Sequence, residues 1–163
     1  MSKIGSNHEK VIFLLLASSG LRISEALTLK PEEIDFENKM IIPNVHNGQT
    51  KQNWITFYNS EVNLREYIPF NISIKRIQVI FKETAVKIGM DISAHTLRSV
   101  FAREMSKSGV QDRYIDAFCG RIPQSVLARH YSDYSPEVLK EIYDKANIKI
   151  LGILSKMIGR SDN

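Results

Sequence analysis

Apolar residues recur at helical spacing near the start of the chain, where four share one face: Val11, Ile12, Leu15 and Leu16. Ser6 or Asn7 can serve as N-cap, and the pattern predicts a helix that ends at the Ser18-Ser19-Gly20 sequence. A second, short helix is predicted over residues 21–27. Pro31 separates it from the acidic segment PEEIDFEN, which is predicted to be a turn.

Two segments further along are rich in β-branched and aromatic residues, which favour strands. They are residues 39–45 (KMIIPNV) and 53–58 (NWITFY), and the Asn47-Gly48 pair between them is typical of a tight hairpin turn. Pro43 in the first segment indicates an edge position or a bulge, because proline cannot donate a ladder hydrogen bond. The pattern predicts one antiparallel hairpin, followed by a loop or short helix over residues 60–72.

The rest of the chain has helical periodicity broken by glycine and proline. Helices are predicted from Ser73 to Gly89, from about His95 to Ser108, from Asp112 to Cys119, over residues 124–131, and from Ser135-Pro136-Glu137 onwards. The last helix is predicted to continue through residues 148–158 unless Gly152 breaks it. The predicted fold class is therefore mainly α with a small antiparallel β-hairpin or sheet (α+β).

Bulk composition narrows the class of protein. A chain of 163 residues, 43% hydrophobic and 25% charged, fits one globular domain. No apolar run reaches the roughly 18 residues of a membrane helix. The N-terminal sequence has no secretory pattern, and the single cysteine, Cys119, excludes an internal disulfide framework and a cysteine metal cluster. We expect a cytoplasmic protein without metal or cofactor.

Charge is unevenly distributed along the chain. The formal net charge is +4, yet residues 23–38 hold five acidic residues against Lys30. Residues 94–131 carry six arginine or lysine residues against three acids. A basic stretch of this kind is compatible with a polyanionic partner such as DNA.

Several short motifs follow one another in a recognisable order. GLRISEALTL at residues 20–29 is followed by a hairpin with a lysine, a His-x-x-Arg pair (His95, Arg98), a Gly-Arg pair (Gly120, Arg121) and a tyrosine. This order resembles the catalytic domain of tyrosine recombinases, the phage-integrase family, from about residue 11 to residue 142. Integrases of archaeal viruses and plasmids look most similar, because Arg121 stands where most members have histidine and because the chain is rich in isoleucine and lysine.

The resemblance implies a site for cleaving and rejoining DNA. A phosphodiester under attack becomes a pentavalent dianion, which needs fixed positive donors, and arginine presents paired N–H groups to phosphate oxygens. By resemblance, Arg22 and Arg98 clamp the non-bridging oxygens, and Tyr131 is the nucleophile. A 3′-phosphotyrosyl bond would form and a 5′-hydroxyl would leave, with no need for ATP or metal.

Other side chains are candidates for proton transfer and positioning. Lys51, just past the Asn-Gly turn, would protonate the leaving 5′-oxygen, unless it is a solvated hairpin lysine; Lys39 is the weaker candidate. His95 would assist proton transfer or hold a phosphate oxygen, or else cap the helix that follows it. Arg121 can donate hydrogen bonds but cannot act as a general base.

The nucleophile has one competitor in the sequence. Tyr131 lies ten residues after Arg121 and Tyr134 lies thirteen, and the shorter spacing is closer to that of the family. Tyr114 and Tyr143 are interpreted as packing residues. Trp54, on the second predicted strand, could face core or solvent and is assigned no catalytic role.

The C-terminal segment, residues 135–158, carries a long apolar stripe. It either packs on its own core or, as the family suggests, joins a neighbouring protomer in a tetramer on double-stranded DNA. Tyr131 could then act in cis or in trans. Residues 1–163 are expected to form a single catalytic domain, a C-terminal fragment of a longer integrase whose N-terminal DNA-clamping domain is absent, or else a minimal form.

Two other functions fit the same residues. One is a type IB topoisomerase-like enzyme that relaxes DNA through the same chemistry. The other is a non-catalytic DNA-binding module built on the same fold.

Overall fold

A computed structural model describes residues 7–43, 54–121 and 133–159. The elements in chain order are α1 (Asn7–Ser19), α2 (Ile23–Leu27), a 3₁₀ turn (Pro31–Glu33), β1 (Ile34–Asp35), β2 (Met40–Ile41), β3 (Thr56–Phe57), α3 (Ile74–Ile88), α4 (Ala94–Lys107), α5 (Asp112–Phe118), α6 (Pro136–Ala146) and α7 (Ile150–Gly159). The predicted class, mainly α with a small antiparallel sheet, is confirmed. The predicted helix over residues 124–131 lies outside the described residues.

Local capping chemistry explains why several helix predictions are confirmed. The Ser73 hydroxyl accepts a hydrogen bond from the Arg76 backbone N–H at 3.2 Å, which starts α3. Gly89 ends α3 in the left-handed region, at φ 66°. Ser135 caps α6 in the same way, with its hydroxyl accepting from the Val138 N–H at 3.4 Å. These signals depend on neighbours in sequence, and a sequence can therefore predict them.

The sheet differs from the predicted hairpin. It has three antiparallel strands in the order β1-β2-β3, and the segment predicted as an acidic turn contains β1. The Asp35 carboxylate accepts from the backbone N–H groups of Glu37 and Asn38, both at 3.0 Å, and this reverses the chain between β1 and β2. Lys39 has φ 52°, so β2 begins only at Met40. Residues 44–53, with the Asn47-Gly48 pair, lie outside the described residues.

The predicted continuous C-terminal helix is wrong. Asn147 adopts a left-handed conformation (φ 45°, ψ 49°) that ends α6, and Gly152 lies inside α7 rather than at a break. The Glu61 carboxylate accepts from the Ile150 backbone N–H at 2.9 Å and so caps the first turn of α7. A carboxylate there also favours the positive end of the helix dipole.

The core forms where α1 packs against α4 and β3, and where α5 packs against α4 and β3. The largest fully buried side chains include Leu15, Leu16, Phe57, Phe101 and Phe118. Phe118 contacts both Phe57 and Phe101 edge to face, with ring centroids 6.2 and 6.4 Å apart. α5 is thereby held against the strand on one side and α4 on the other. In the described ranges, no helix has the length and apolarity needed to cross a bilayer.

Candidate active site

A cavity of about 420 Å³ lies between α4 and α5 and holds three of the predicted site residues. α4 contributes one stripe of side chains, and the residues from α5 onwards contribute the facing wall. The lining residues are His95, Arg98, Ser99, Ala102, Ser106, Asp112, Ile115, Asp116, Cys119 and Arg121. Because His95 and Arg98 are three residues apart on a helix, they lie on the same face. The structure thus brings His95, Arg98 and Arg121 together.

Arg98 is the buried cation of this cavity, with a relative exposure of 8%. Its Nη2 donates to the carbonyl oxygen of Cys119 at 2.6 Å, which sets the direction of the guanidinium. Its Nε is buried and has no partner among the described residues. A buried charge is costly unless its donors are satisfied, so this guanidinium is suited to receive an anion.

His95 lies in the first turn of α4 and is exposed. The N-cap of α4 is Ser93, whose hydroxyl accepts from the Thr96 backbone N–H at 3.1 Å. The alternative in which His95 caps the helix is therefore wrong. Its imidazole stands at the rim of the cavity, where a phosphate oxygen or a proton donor could reach it.

Arg121 follows the turn that ends α5. Its Nη1 lies 3.7 Å from an oxygen of Asp116, and the two side chains are 58% and 44% exposed. An ion pair this long and this exposed stabilises little. Phosphate oxygens could therefore replace the carboxylate at small cost.

Arg22 is the N-cap of α2, which begins at Ile23 rather than at Leu21 as predicted. The Glu25 carboxylate accepts from the Arg22 backbone N–H at 2.8 Å and lies 3.3 Å from its Nη1. The Arg22 side chain is 44% exposed and does not line the cavity.

The loop that leads to Arg22 nevertheless touches the support of Arg98. At Gly20 (φ +72°), an added Cβ would lie 2.8 Å from a ring carbon of Phe101 and 3.0 Å from the Cys119 sulfur. Only glycine fits this approach. The Arg22 loop therefore rests on the residue whose carbonyl holds Arg98.

Lys51 and Tyr131 lie outside the described residues. Lys39, the weaker lysine candidate, lines a separate cleft beside Tyr58 and Lys140, away from the cavity. The Tyr134 hydroxyl is buried without a described partner, and its ring packs edge-on against Tyr114 with centroids 5.9 Å apart.

Two contacts in the site could not be predicted from side-chain chemistry. One is the contact of Arg98 with the Cys119 carbonyl, a backbone acceptor whose position depends on where α5 ends. Burial raises the pKa of the Cys119 thiol, which disfavours the reactive thiolate, although the Arg98 charge works in the opposite direction. The other is Trp54, which is buried (3% exposed) and packs on Gly120. The sequence shows a glycine before Arg121, but it does not show that Trp54 packs on this glycine.

Comparison with known proteins gives consistent results. A sequence model described as archaeal phage integrase matches residues 2–147. The tyrosine recombinase XerA of Thermococcus onnurineus is 27% identical over 168 residues, which cover 91% of this chain and 58% of that protein. XerA of Saccharolobus solfataricus is 33% identical over 113 residues, 63% of this chain and 38% of that protein.

A crystal structure of XerA recombinase matches with a TM-score of 0.56 and 18% sequence identity, over 89% of this chain and 65% of that chain. At this identity the likeness shows a shared fold. The chain spans 58% or less of the length of these two XerA relatives.

Proposed function

This chain belongs to the archaeal phage integrase family, and we propose that it is a site-specific recombinase that cleaves and rejoins DNA strands. The observation that carries the proposal is the buried Arg98 guanidinium. It is directed by one carbonyl, it has a donor without a described partner, and it shares a cavity with His95 and Arg121. Such preorganised donors suit the charge that develops on a phosphodiester under attack.

In the proposed reaction, the Tyr131 oxygen attacks phosphorus and its proton passes to the His95 imidazole. A tyrosyl O–P bond forms, the bond from phosphorus to the 5′-oxygen breaks, and Lys51 gives that oxygen a proton. Arg22, Arg98 and Arg121 donate to the non-bridging oxygens, and His95 assists at the cavity rim. A 5′-hydroxyl of another strand then reverses these steps, which rejoins DNA without an outside energy source.

Tyr131 is preferred over Tyr134 as the nucleophile. The Tyr134 hydroxyl is buried and its ring packs on Tyr114, so it would have to leave this packing to reach a phosphodiester. The sequence spacing from Arg121 favours Tyr131 independently.

The partner we propose is double-stranded DNA bearing attachment sites, bound by a tetramer in the cytoplasm of the host cell. Residues 1–163 would act as one catalytic domain, and segment 135–158 would join protomers. In the structure α7 lies against its own core, with Ile150 and Leu154 buried. An exchanged α7 would thus have to give up these contacts and the cap from Glu61.

A covalent trapping experiment tests the proposal. A pool of nicked duplexes with randomised sequence is incubated with the chain in EDTA, so that cleavage releases a short fragment and prevents religation. We expect a protein–DNA adduct that survives detergent, forms with the unmodified chain and with Tyr134→Phe, and is absent with Tyr131→Phe. Sequencing the trapped duplexes would report the preferred site.

Each other outcome contradicts part of the proposal. An adduct with Tyr131→Phe but not with Tyr134→Phe would reverse the nucleophile assignment. DNA binding without any adduct from the unmodified chain would indicate a non-catalytic module. Relaxation of supercoiled plasmid without sequence preference or strand exchange would indicate a topoisomerase-like enzyme.

A further inference from the structure

Strand β3 and Trp54, two positions before it, lie beside two parts of the candidate site. These are the loop that leads to Arg22 and the turn that precedes Arg121. The Thr56 hydroxyl donates to the Ser19 carbonyl at 2.5 Å, next to the loop that leads to Arg22. The Trp54 indole packs on Gly120, immediately before Arg121. A Cβ added at Gly120 would lie 2.8, 3.1 and 3.2 Å from three ring atoms of Trp54. The indole therefore lies directly against this glycine.

The turn under the indole is the one that holds Arg98. Cys119 and Gly120 end α5, with Gly120 at φ +71°. The Gly120 N–H donates to the Ala117 carbonyl at 3.0 Å, and the Arg121 N–H donates to the Asp116 carbonyl at 2.7 Å. These bonds leave the Cys119 carbonyl to accept from Arg98 at 2.6 Å.

We propose that Trp54 is a positioning residue: by covering Gly120 it holds the Cys119–Gly120 turn, and through that turn it aims the guanidinium groups of Arg98 and Arg121 at the phosphate. This inference rests on the proposed function and adds a residue to its machinery. The indole N–H is buried without a described partner, so among the described residues the contact with the turn is made by the flat ring.

The expected effect is on rate rather than on affinity. Without the ring, the turn can shift, and a misplacement of about 1 Å at the reacting groups costs roughly 100-fold in rate. The charges of both arginines remain, and electrostatic attraction to DNA depends mainly on charge.

The cleavage arm measures single-turnover adduct formation on a trapped duplex. We expect Trp54→Leu to slow cleavage about 30- to 100-fold while the Kd for DNA changes less than about threefold. Trp54→Phe keeps an aromatic face on Gly120 and loses no hydrogen bond to a described residue, so it should stay within about threefold of the unmodified chain. In an Arg98→Lys background, Trp54→Leu should slow cleavage by a smaller factor than it does in the unmodified chain, because Arg98, one of the two groups that the turn aims, is already gone.

The matched control is Phe81→Leu. Phe81 is also buried and packs on Phe13 between α1 and α3, outside the cavity. The cleavage rates of both leucine variants are measured at the same urea concentration, chosen so that each variant is fully folded. A control that slows cleavage as much as Trp54→Leu would show that the effect is general loss of stability and would overturn the proposal.

A second arm needs no catalysis. Cys119 is the only cysteine of the chain, so the rate at which Ellman's reagent modifies the native protein reports the turn directly. We expect modification at least about tenfold faster in Trp54→Leu than in Phe81→Leu, since opening of the turn exposes the thiol.

The two arms separate the possible failures. Equal thiol rates in the two leucine variants would overturn the support of the turn by Trp54. Faster modification with unchanged cleavage would overturn the positioning of the arginines. If the unmodified chain formed no adduct, the proposed function would fail, and the thiol arm would still decide whether Trp54 holds the turn.

Discussion

Arg98 and Arg22 are predicted to act as a pair, yet the fold holds them in different ways. For Arg98 the side chain itself is anchored, because the guanidinium is buried and donates to Cys119 at 2.6 Å. For Arg22 the preceding backbone is anchored instead. The carbonyls of Ser18 and Ser19 accept from the hydroxyls of Tyr143 and Thr56 at 2.6 and 2.5 Å, while the Arg22 side chain is 44% exposed.

The difference suggests a division of labour. A guanidinium fixed before DNA arrives loses little freedom on binding and can hold a phosphate with defined geometry. An exposed guanidinium on a fixed backbone can reach a phosphate that approaches from solvent. Three experiments break or sharpen this comparison.

The largest effect is expected for Arg98→Lys. A lysine cannot reproduce the paired N–H geometry or the Cys119 contact, so we expect adduct formation to slow about 1,000-fold. Arg22→Lys should slow it only about tenfold, because a flexible exposed ammonium can still approach phosphate. Single-turnover rates on the trapped duplex measure both, and equal losses in the two variants would contradict the comparison.

Gly20→Ala tests the contact between the loop that leads to Arg22 and the residues that support Arg98. The new Cβ would lie 2.8 Å from Phe101 in a left-handed backbone, and we expect a loss of about 3 kcal/mol of unfolding free energy. Gly109→Ala is the matched control, since Gly109 also has positive φ (+84°) but nothing within 4 Å. It should lose only about 1 kcal/mol, from backbone strain alone. Urea unfolding measures both, and similar losses would mean that the Gly20 contact is not tight.

The smallest effect is expected for Tyr143→Phe. Removing the hydroxyl leaves the buried Ser18 carbonyl without this donor, which should cost about 1–2 kcal/mol in urea unfolding at neutral pH. Adduct formation by the folded variant should fall less than for Arg22→Lys. A larger fall would mean that this bond, rather than the rest of the loop packing, fixes Arg22.

The Tyr143 hydroxyl also gives the unmodified chain a pH dependence of stability that Tyr143→Phe should lack. Burial raises the pKa of Tyr143 well above its usual range. Because the folded pKa is higher than the unfolded one, the contribution of the un-ionised hydroxyl is complete below the unfolded pKa of about 10 and is lost as pH rises above it. Unfolding free energy should therefore fall more steeply above about pH 10 in the unmodified chain than in Tyr143→Phe. Parallel curves would contradict the assigned burial.

Predictions from the sequence were accurate where the cause is local. Ser73 and Gly89 bound α3 through contacts within a few residues, and the motif order indicated the family. The predictions were inaccurate where a residue distant in the sequence decides where a strand or helix forms. The short strand Ile34–Asp35 exists because Ile41 and Met40 pair with it, and α7 starts at Ile150 because Glu61, far away in the sequence, caps it.

The sequence by itself determined the types of group available to the site: arginines, a histidine and tyrosines in a family-specific order, on helices whose ends it marks. The tertiary structure alone decided which of these groups are aimed. The direction of Arg98 depends on a backbone carbonyl at the end of another helix, next to a glycine, Gly120, that lies against the Trp54 ring. Backbone acceptors and ring contacts carry no signature in residue type, because they arise only when segments far apart in the chain pack together.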